Sequence, residues 1–186
     1  MTNIFNLILS RKYTEIYDIG CAEGYYAVGL ALKSTSSRIT AFDIDQGALN
    51  SCIKLAEFNN VKNRVEVKRF CSSDDINNFN FLDGLIISDC EGYELELFSN
   101  VDIEKKKLDY LIEIHEWPLN VNLAQKVYNI FEKTHHINII RSTTDLHKAH
   151  FYPEIFGFVN APIEDSYDLF KEGRGEEMQW YYCVKK

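Results

Sequence analysis

The chain has 186 residues, of which 46% are hydrophobic and 13% aromatic, and it contains three prolines. This length and composition are typical of one compact domain with a full hydrophobic core, and they exclude a disordered chain. The formal net charge of −8 argues against loose binding to nucleic acid, because proteins that bind phosphate backbones usually carry a basic surface.

The cysteines and the apolar runs indicate the cellular compartment of the protein. The five cysteines form no Cys-x-x-Cys pair and are odd in number, which favours reduced thiols over a disulfide framework. The apolar stretch within residues 1–10 is too short for a signal peptide and lacks a basic leader, and no run has membrane length. We therefore expect a cytoplasmic protein that does not enter the membrane.

Apolar periodicity predicts strands and helices that alternate along the chain. After a short helix at 2–12, a strand beginning at Tyr17 leads through glycines into a helix that ends near Lys33. Further strands are predicted at 38–43, 64–70, 84–89, 108–115, 136–141 and 178–184. The helices between them are predicted at 45–60, at 92–105, and from 118 or 120 to 131, with a short helix at 164–171 in the otherwise aperiodic segment 142–177.

This alternation predicts an α/β three-layer sandwich with a mostly parallel sheet, built by residues 1–186 as a single domain. The strands at 84–89 and 108–115 are apolar almost throughout, as expected of central strands that are buried on both faces. The strand at 64–70 alternates apolar and charged residues, as an edge strand does. Segment 142–177 is an excursion from this pattern that could serve as a substrate lid.

A glycine-rich turn and a later acid indicate a nucleotide-like ligand. Gly20 and Gly24 follow the first strand, and glycines there allow a sharp turn and a close approach of the backbone to a ligand. Asp43 ends the second strand about 20 residues later, where such folds place a carboxylate on ribose hydroxyls. Asp18 precedes the glycines and would repel a pyrophosphate, so the turn does not fit a nicotinamide dinucleotide.

The pattern Asp18-x-Gly20-x-x-x-Gly24 resembles the first motif of class I S-adenosylmethionine (SAM)-dependent methyltransferases. The resemblance implies a Rossmann-like seven-stranded sheet of order 3-2-1-4-5-7-6, with the last strand antiparallel. It also implies that SAM is the cofactor, bound by Asp18, Gly20, Gly24 and Asp43 with the neighbouring Cys21 and Ile44. In such enzymes the loop after the third strand reaches the adenine, a role for Asp74 with Ser73 or Ser72. The alternative, that Ser73 or Asp74 only caps a turn, stays open.

The ends of the fourth and fifth strands carry the acids and the histidine of the expected site. Asp89-Cys-Glu-Gly-Tyr-Glu94, followed by Glu113-Ile-His115, resembles the FkbM-type methyltransferases, which mostly O-methylate hydroxyls of sugars and natural products. Residues two apart on a strand point to the same side, so Glu113 and His115 could converge with Asp89 and Glu91. His115 is the predicted general base, Asp89 orients it or the acceptor and contacts the cofactor, and Glu91 and Glu113 support them.

Alternatives remain for each of these assignments. His115 could be a structural residue, and Glu91 could be an acid that favours a helix N-terminus. The four side chains could instead hold a divalent cation, which ranks below a metal-free site. We therefore expect a SAM-dependent O-methyltransferase that acts on a saccharide or small hydroxylated metabolite, without nucleic acid or membrane partners, and able to form a homo-oligomer. The rivals are an RNA or protein methyltransferase, a non-catalytic SAM-binding domain and an NAD-dependent oxidoreductase.

Overall fold

A computed structural model describes residues 2–80, 83–115, 122–151, 167 and 178–186. Within this part of the chain, one sheet has seven strands in the order β3-β2-β1-β4-β5-β7-β6. The strands are β1 (Glu15–Ile19), β2 (Arg38–Phe42), β3 (Val65–Lys68), β4 (Gly84–Ser88), β5 (Asp109–Ile114), β6 (His135–Arg141) and β7 (Gln179–Lys185).

The directions of the strands also agree with the prediction. Strands β1 to β5 pair in parallel, and β7 is antiparallel to both β5 and β6. Strands β4 and β5 are buried along their whole length, as continuous apolar runs predict for central parallel strands. The α/β class, the strand order and the antiparallel last strand are therefore confirmed.

Helices cover both faces of the sheet and complete three layers. The described helices are α1 (Thr2–Arg11), α2 (Tyr25–Lys33), α3 (Gln46–Phe58), α4 (Ser73–Asn78), α5 (Glu94–Ser99), α6 (Leu123–Phe131) and α7 (Asp145–Phe151). One core contains the buried side chains of α1, α2 and α3, and the other contains those of α4, α5 and α6. The apolar stripe of each helix supplies these side chains, which is the physical reason for the alternating pattern.

Three helix predictions need correction. The helix predicted at 92–105 is shorter, because Asn77 accepts a hydrogen bond from the Asp102 N–H and donates one to the Asn100 carbonyl, and so holds a turn there. Residues 73–75, predicted to lie in the loop after the third strand, instead belong to α4, which begins there because Ser72 and Asp75 make a reciprocal capping box. Helix α7 lies within the segment predicted to be irregular.

Some predictions lie outside the described residues. They are the start of the helix at 118 or 120, the short helix at 164–171, and most of the proposed lid. Among the described helices, none combines the length and the apolarity that crossing a bilayer would require.

Candidate functional site

The register of the sheet brings four predicted site positions to one edge. Ile19 pairs with Phe42 on β2 and with Ser88 on β4, and Ser88 pairs with Ile112 on β5. The residues that follow these positions are Gly20, Asp43, Asp89 and Glu113. They therefore lie side by side at the carboxyl ends of the parallel strands, where open α/β sheets bind their ligands.

Gly20 is required by the turn itself. Its φ of +82° is in the left-handed region, and an added Cβ would lie 1.9 Å from the Asp89 carbonyl oxygen. Gly24, with a φ of +94°, would place a Cβ 2.5 Å from the Cys52 Sγ on α3. Both glycines therefore allow the turn to pack directly against neighbouring elements, which no larger residue could permit.

Two aspartates hold this turn. Asp18 is fully buried, and its Oδ2 accepts a hydrogen bond from the Ala27 N–H at 2.9 Å, which ties β1 to the first turn of α2. Its Oδ1 has no partner among the described residues, and burial raises the pKa of Asp18 to about 7. Asp43 accepts from the Ala22 N–H at 2.8 Å and from the Asp45 N–H at 2.9 Å.

A cavity of about 410 Å³ lies above these residues. Its wall contains Gly20, Asp43 and Ile44 on one side and Asp89, Cys90 and Glu91 on the other. Phe70, Cys71 and Tyr93 add apolar and aromatic surface, and Arg69 adds one positive charge. The volume is within the range of cavities that hold small ligands, roughly 300–1,000 Å³.

His115 follows β5 and is buried, with 3% of its surface exposed. Its Nδ1 lies 2.9 Å from the Glu94 Oε1, and its Nε2 lies 3.4 Å from the Asp89 Oδ1 and 3.6 Å from the Glu91 Oε2. Burial alone would lower the pKa of an imidazole. The hydrogen bond to Glu94 and the charges of Glu94 and Asp89 outweigh it and raise the pKa of His115 above its ordinary value.

Glu94 is a site residue that the sequence analysis did not assign. It is fully buried at the start of α5, and its Oε1 also accepts hydrogen bonds from the Cys90 and Gly92 N–H groups, each at 3.2 Å. One carboxylate thus fixes both the imidazole ring and the turn between β4 and α5. The last position of Asp-x-Glu-Gly-x-Glu was the available signal, but an acid in a first helical turn is usually exposed.

The remaining acids differ in their surroundings. Glu91 has a φ of +51° and is exposed, and the turn brings its carboxylate back toward His115. Glu113 is buried on β5 beside Asp89. Burial, the charge of Glu113 and a hydrogen bond to its carboxyl group raise the pKa of Asp89.

The predicted cofactor residues fall into three groups. Gly20, Asp43, Ile44 and Asp89 line the cavity, whereas Asp18, Cys21 and Gly24 support the turn from below. Ser73 instead donates to the Leu97 carbonyl at 2.8 Å, and Asp74 is exposed on α4. The structure does not bring Ser73 or Asp74 to the cavity, so their contact with adenine stays a prediction that the geometry does not support.

Comparison with known proteins agrees with this fold. The family model of the ribosomal protein L11 methyltransferase (PrmA) matches residues 5–88. No curated protein gives a significant sequence match. An O-methyltransferase from Bacillus cereus in complex with S-adenosylhomocysteine (SAH) superposes with a TM-score of 0.65 at 14% identity, over 98% of this chain and 79% of that chain.

Two further solved structures are similar at low identity. TomG, an O-methyltransferase from Streptomyces achromogenes involved in tomaymycin synthesis and solved with SAM, has a TM-score of 0.63 at 10% identity, over 98% of this chain and 78% of that chain. A putative rRNA-methylase from Clostridium thermocellum has a TM-score of 0.60 at 11% identity, over 100% of this chain and 96% of that chain. The chain therefore has the fold of class I SAM-dependent methyltransferases.

The residues at the cavity fit SAM. The carboxylate of Asp43 makes two backbone hydrogen bonds and keeps further lone pairs for ribose hydroxyls, because each carboxylate oxygen can accept more than one bond. The buried Oδ1 of Asp18, which has no partner within the described residues, and the acids of the wall make the region electronegative, which suits a sulfonium and an ammonium. Ile44 and Phe70 offer apolar surface for a base.

Proposed function

We propose that this chain is a SAM-dependent O-methyltransferase that methylates a hydroxyl of a saccharide or a small hydroxylated metabolite. The observation that carries the proposal is the buried pair of His115 and Glu94, whose imidazole lies directly behind Asp89 and Glu91 of the cavity wall. A neutral hydroxyl is a weak nucleophile and must lose its proton during methylation, so a base that accepts this proton speeds the reaction. The imidazole of His115, fixed at the carboxyl end of β5 by its hydrogen bond to Glu94, can accept that proton.

Each residue has one proposed role. SAM, when bound, supplies an electrophilic methyl group, which the acceptor oxygen takes as the carbon–sulfur bond breaks and SAH is left. His115 receives the hydroxyl proton at Nε2, while its Nδ1–H donates to Glu94, which fixes the ring and its tautomer. Asp89 lies 3.4 Å from Nε2 and stabilises the imidazolium that forms. Glu113 and Glu91 support Asp89, and alignment of the acceptor supplies much of the remaining rate.

The charges favour a small neutral acceptor. Asp43, Asp89 and Glu91 line the cavity with Arg69 as the one cation among its described lining residues, and the whole chain carries a net charge of −8. These negative charges would repel the phosphate backbone of a nucleic acid. The PrmA match and the rRNA-methylase neighbour keep ribosomal protein and RNA as rival acceptors, and the likeness to FkbM-type enzymes favours the hydroxyl of a metabolite.

The test is release of SAH from SAM by the 186-residue chain in the presence of defined acceptors. We expect turnover with members of a panel of neutral monosaccharides and polyols, and none with ribosomal RNA or ribosomal protein. Turnover that requires RNA or protein would contradict the proposed acceptor. Tight SAM binding without turnover on any acceptor would instead identify a non-catalytic SAM-binding domain.

A further inference from the structure

Asp89, Glu91 and His115 form a cluster with the geometry of a metal site. One carboxylate oxygen from each acid and one ring nitrogen of His115 all lie within 4.8 Å of one another. The distances from Nε2 to the two carboxylates, 3.4 and 3.6 Å, are longer than good hydrogen bonds. They are close to the separations between donor atoms that share one cation, since metal–ligand bonds to nitrogen and oxygen are about 2.0–2.2 Å long.

A second observation concerns the other side of the imidazole. Nδ1 is hydrogen-bonded to the Glu94 carboxylate at 2.9 Å, so in the neutral imidazole the ring proton belongs to Nδ1 and the lone pair of Nε2 faces Asp89 and Glu91. Glu94 is fully buried, and its Oε2 has no hydrogen-bond partner in the described part of the chain. A buried carboxylate that holds the far nitrogen of a histidine is the usual support of a metal-binding imidazole, because it fixes the tautomer and strengthens the donor.

The cluster is also accessible from the cavity. Asp89 and Glu91 are in the cavity wall, with side chains 25% and 75% exposed, so an ion could enter from that side and keep open coordination positions. One imidazole nitrogen with two carboxylate oxygens favours Mn²⁺, Co²⁺ or Zn²⁺ over Mg²⁺ and Ca²⁺, which prefer oxygen ligands alone.

We infer that Asp89, Glu91 and His115 bind one divalent transition-metal cation, with Glu94 holding the histidine from behind. The consequence for turnover rests on the function proposed above. Nε2 has a single lone pair and cannot ligate a cation and accept a proton at the same time. The bound cation therefore suppresses the methyl transfer that uses His115 as a base, and the site has two exclusive states.

Calorimetric titration of the metal-stripped full chain with MnCl₂ and ZnCl₂ tests the binding without any acceptor. We expect one saturable equivalent, with affinity reduced by about tenfold or more in Glu91→Gln and in His115→Asn. Glu96→Gln is the matched control, because it removes the same charge from an exposed position on the neighbouring helix and should change the affinity by less than about twofold. No saturable binding, or equal affinity in wild type and Glu91→Gln, would overturn the inference.

A second measurement, the effect of the cation on SAH release, distinguishes failure of the metal-site inference from failure of the proposed function. Saturating Zn²⁺ should reduce SAH release by about tenfold or more, and a chelator should restore it. An increase of turnover with Zn²⁺ or Mn²⁺ would contradict the exclusive roles and make His115 a ligand of a catalytic ion. If no acceptor supports turnover, the calorimetric result still decides whether the metal site exists.

Discussion

Substitution of Gly20 by alanine is expected to weaken SAM binding by about 100-fold or more and to lower the stability of the fold. Residue 20 has a φ of +82°, which costs alanine about 1–3 kcal/mol, and the new Cβ would lie 1.9 Å from the Asp89 carbonyl oxygen. That contact is with the backbone, so no side-chain rotation relieves it. The turn must separate from β4, and the cavity wall between Gly20 and Asp89 changes shape.

Gly29→Ala is the matched control for this substitution. Gly29 is inside α2, where an added Cβ would meet only the Phe5 ring at 3.9 Å, an ordinary contact. Alanine is the better helix former by about 0.5–1 kcal/mol, so this variant should be slightly more stable than wild type and should bind SAM equally well. Thermal denaturation and calorimetry measure both effects. A Gly20→Ala protein that binds SAM like wild type would show that the turn does not shape the cofactor site.

His115→Asn is expected to reduce kcat by roughly 10²–10⁴-fold while changing the Kd for SAM by about twofold or less. The asparagine amide can donate to Glu94 from a position close to that of Nδ1, so the buried carboxylate keeps its partner. The variant loses Nε2, the atom proposed to take the proton. The expected loss is therefore in the chemical step rather than in cofactor binding.

His136→Asn is the corresponding control, because His136 is exposed on the edge strand β6, at the opposite side of the sheet from β1 and β2. It should keep the wild-type kcat. Single-turnover rates of SAH formation separate chemistry from product release. A kcat for His115→Asn close to that of wild type would show that His115 is a structural residue, the alternative that the sequence leaves open.

The strand order could be predicted from the resemblance to class I SAM-dependent methyltransferases, and the edge that carries the site could be predicted because it depends on local patterns. Continuous apolar runs mark β4 and β5 as central, and the glycines after β1 mark the turn. Asp43 and Asp89 could be assigned to that edge because each directly follows a parallel strand. These features follow from the two-residue and 3.6-residue periods and from the topology rules of parallel sheets.

Features that depend on packing between distant segments could not be predicted. Glu94 reads as an ordinary acid at a helix start, and only the packing of α5 against the end of β5 buries it beside His115. The capping box of Ser72 and Asp75 places Asp74 on α4, where the sequence pattern predicted a loop, and the contact of Asp74 with adenine stays a prediction. The contact between Asp89 and Glu113, which raises the pKa of Asp89, also depends on the pairing of β4 with β5.

The central claim is that the cavity beside Gly20 binds SAM and that the Asp43 carboxylate accepts hydrogen bonds from its ribose hydroxyls. Calorimetric titration with SAM tests this claim most directly. We expect wild type to bind one equivalent, and Asp43→Asn to bind about 10- to 100-fold more weakly, because charged hydrogen bonds to ribose hydroxyls contribute about 1.5–3 kcal/mol. Glu66→Gln, which removes an exposed acid paired with Lys68 on β3, should bind like wild type. Absence of SAM binding to wild type, or equal affinity in Asp43→Asn, would contradict the claim.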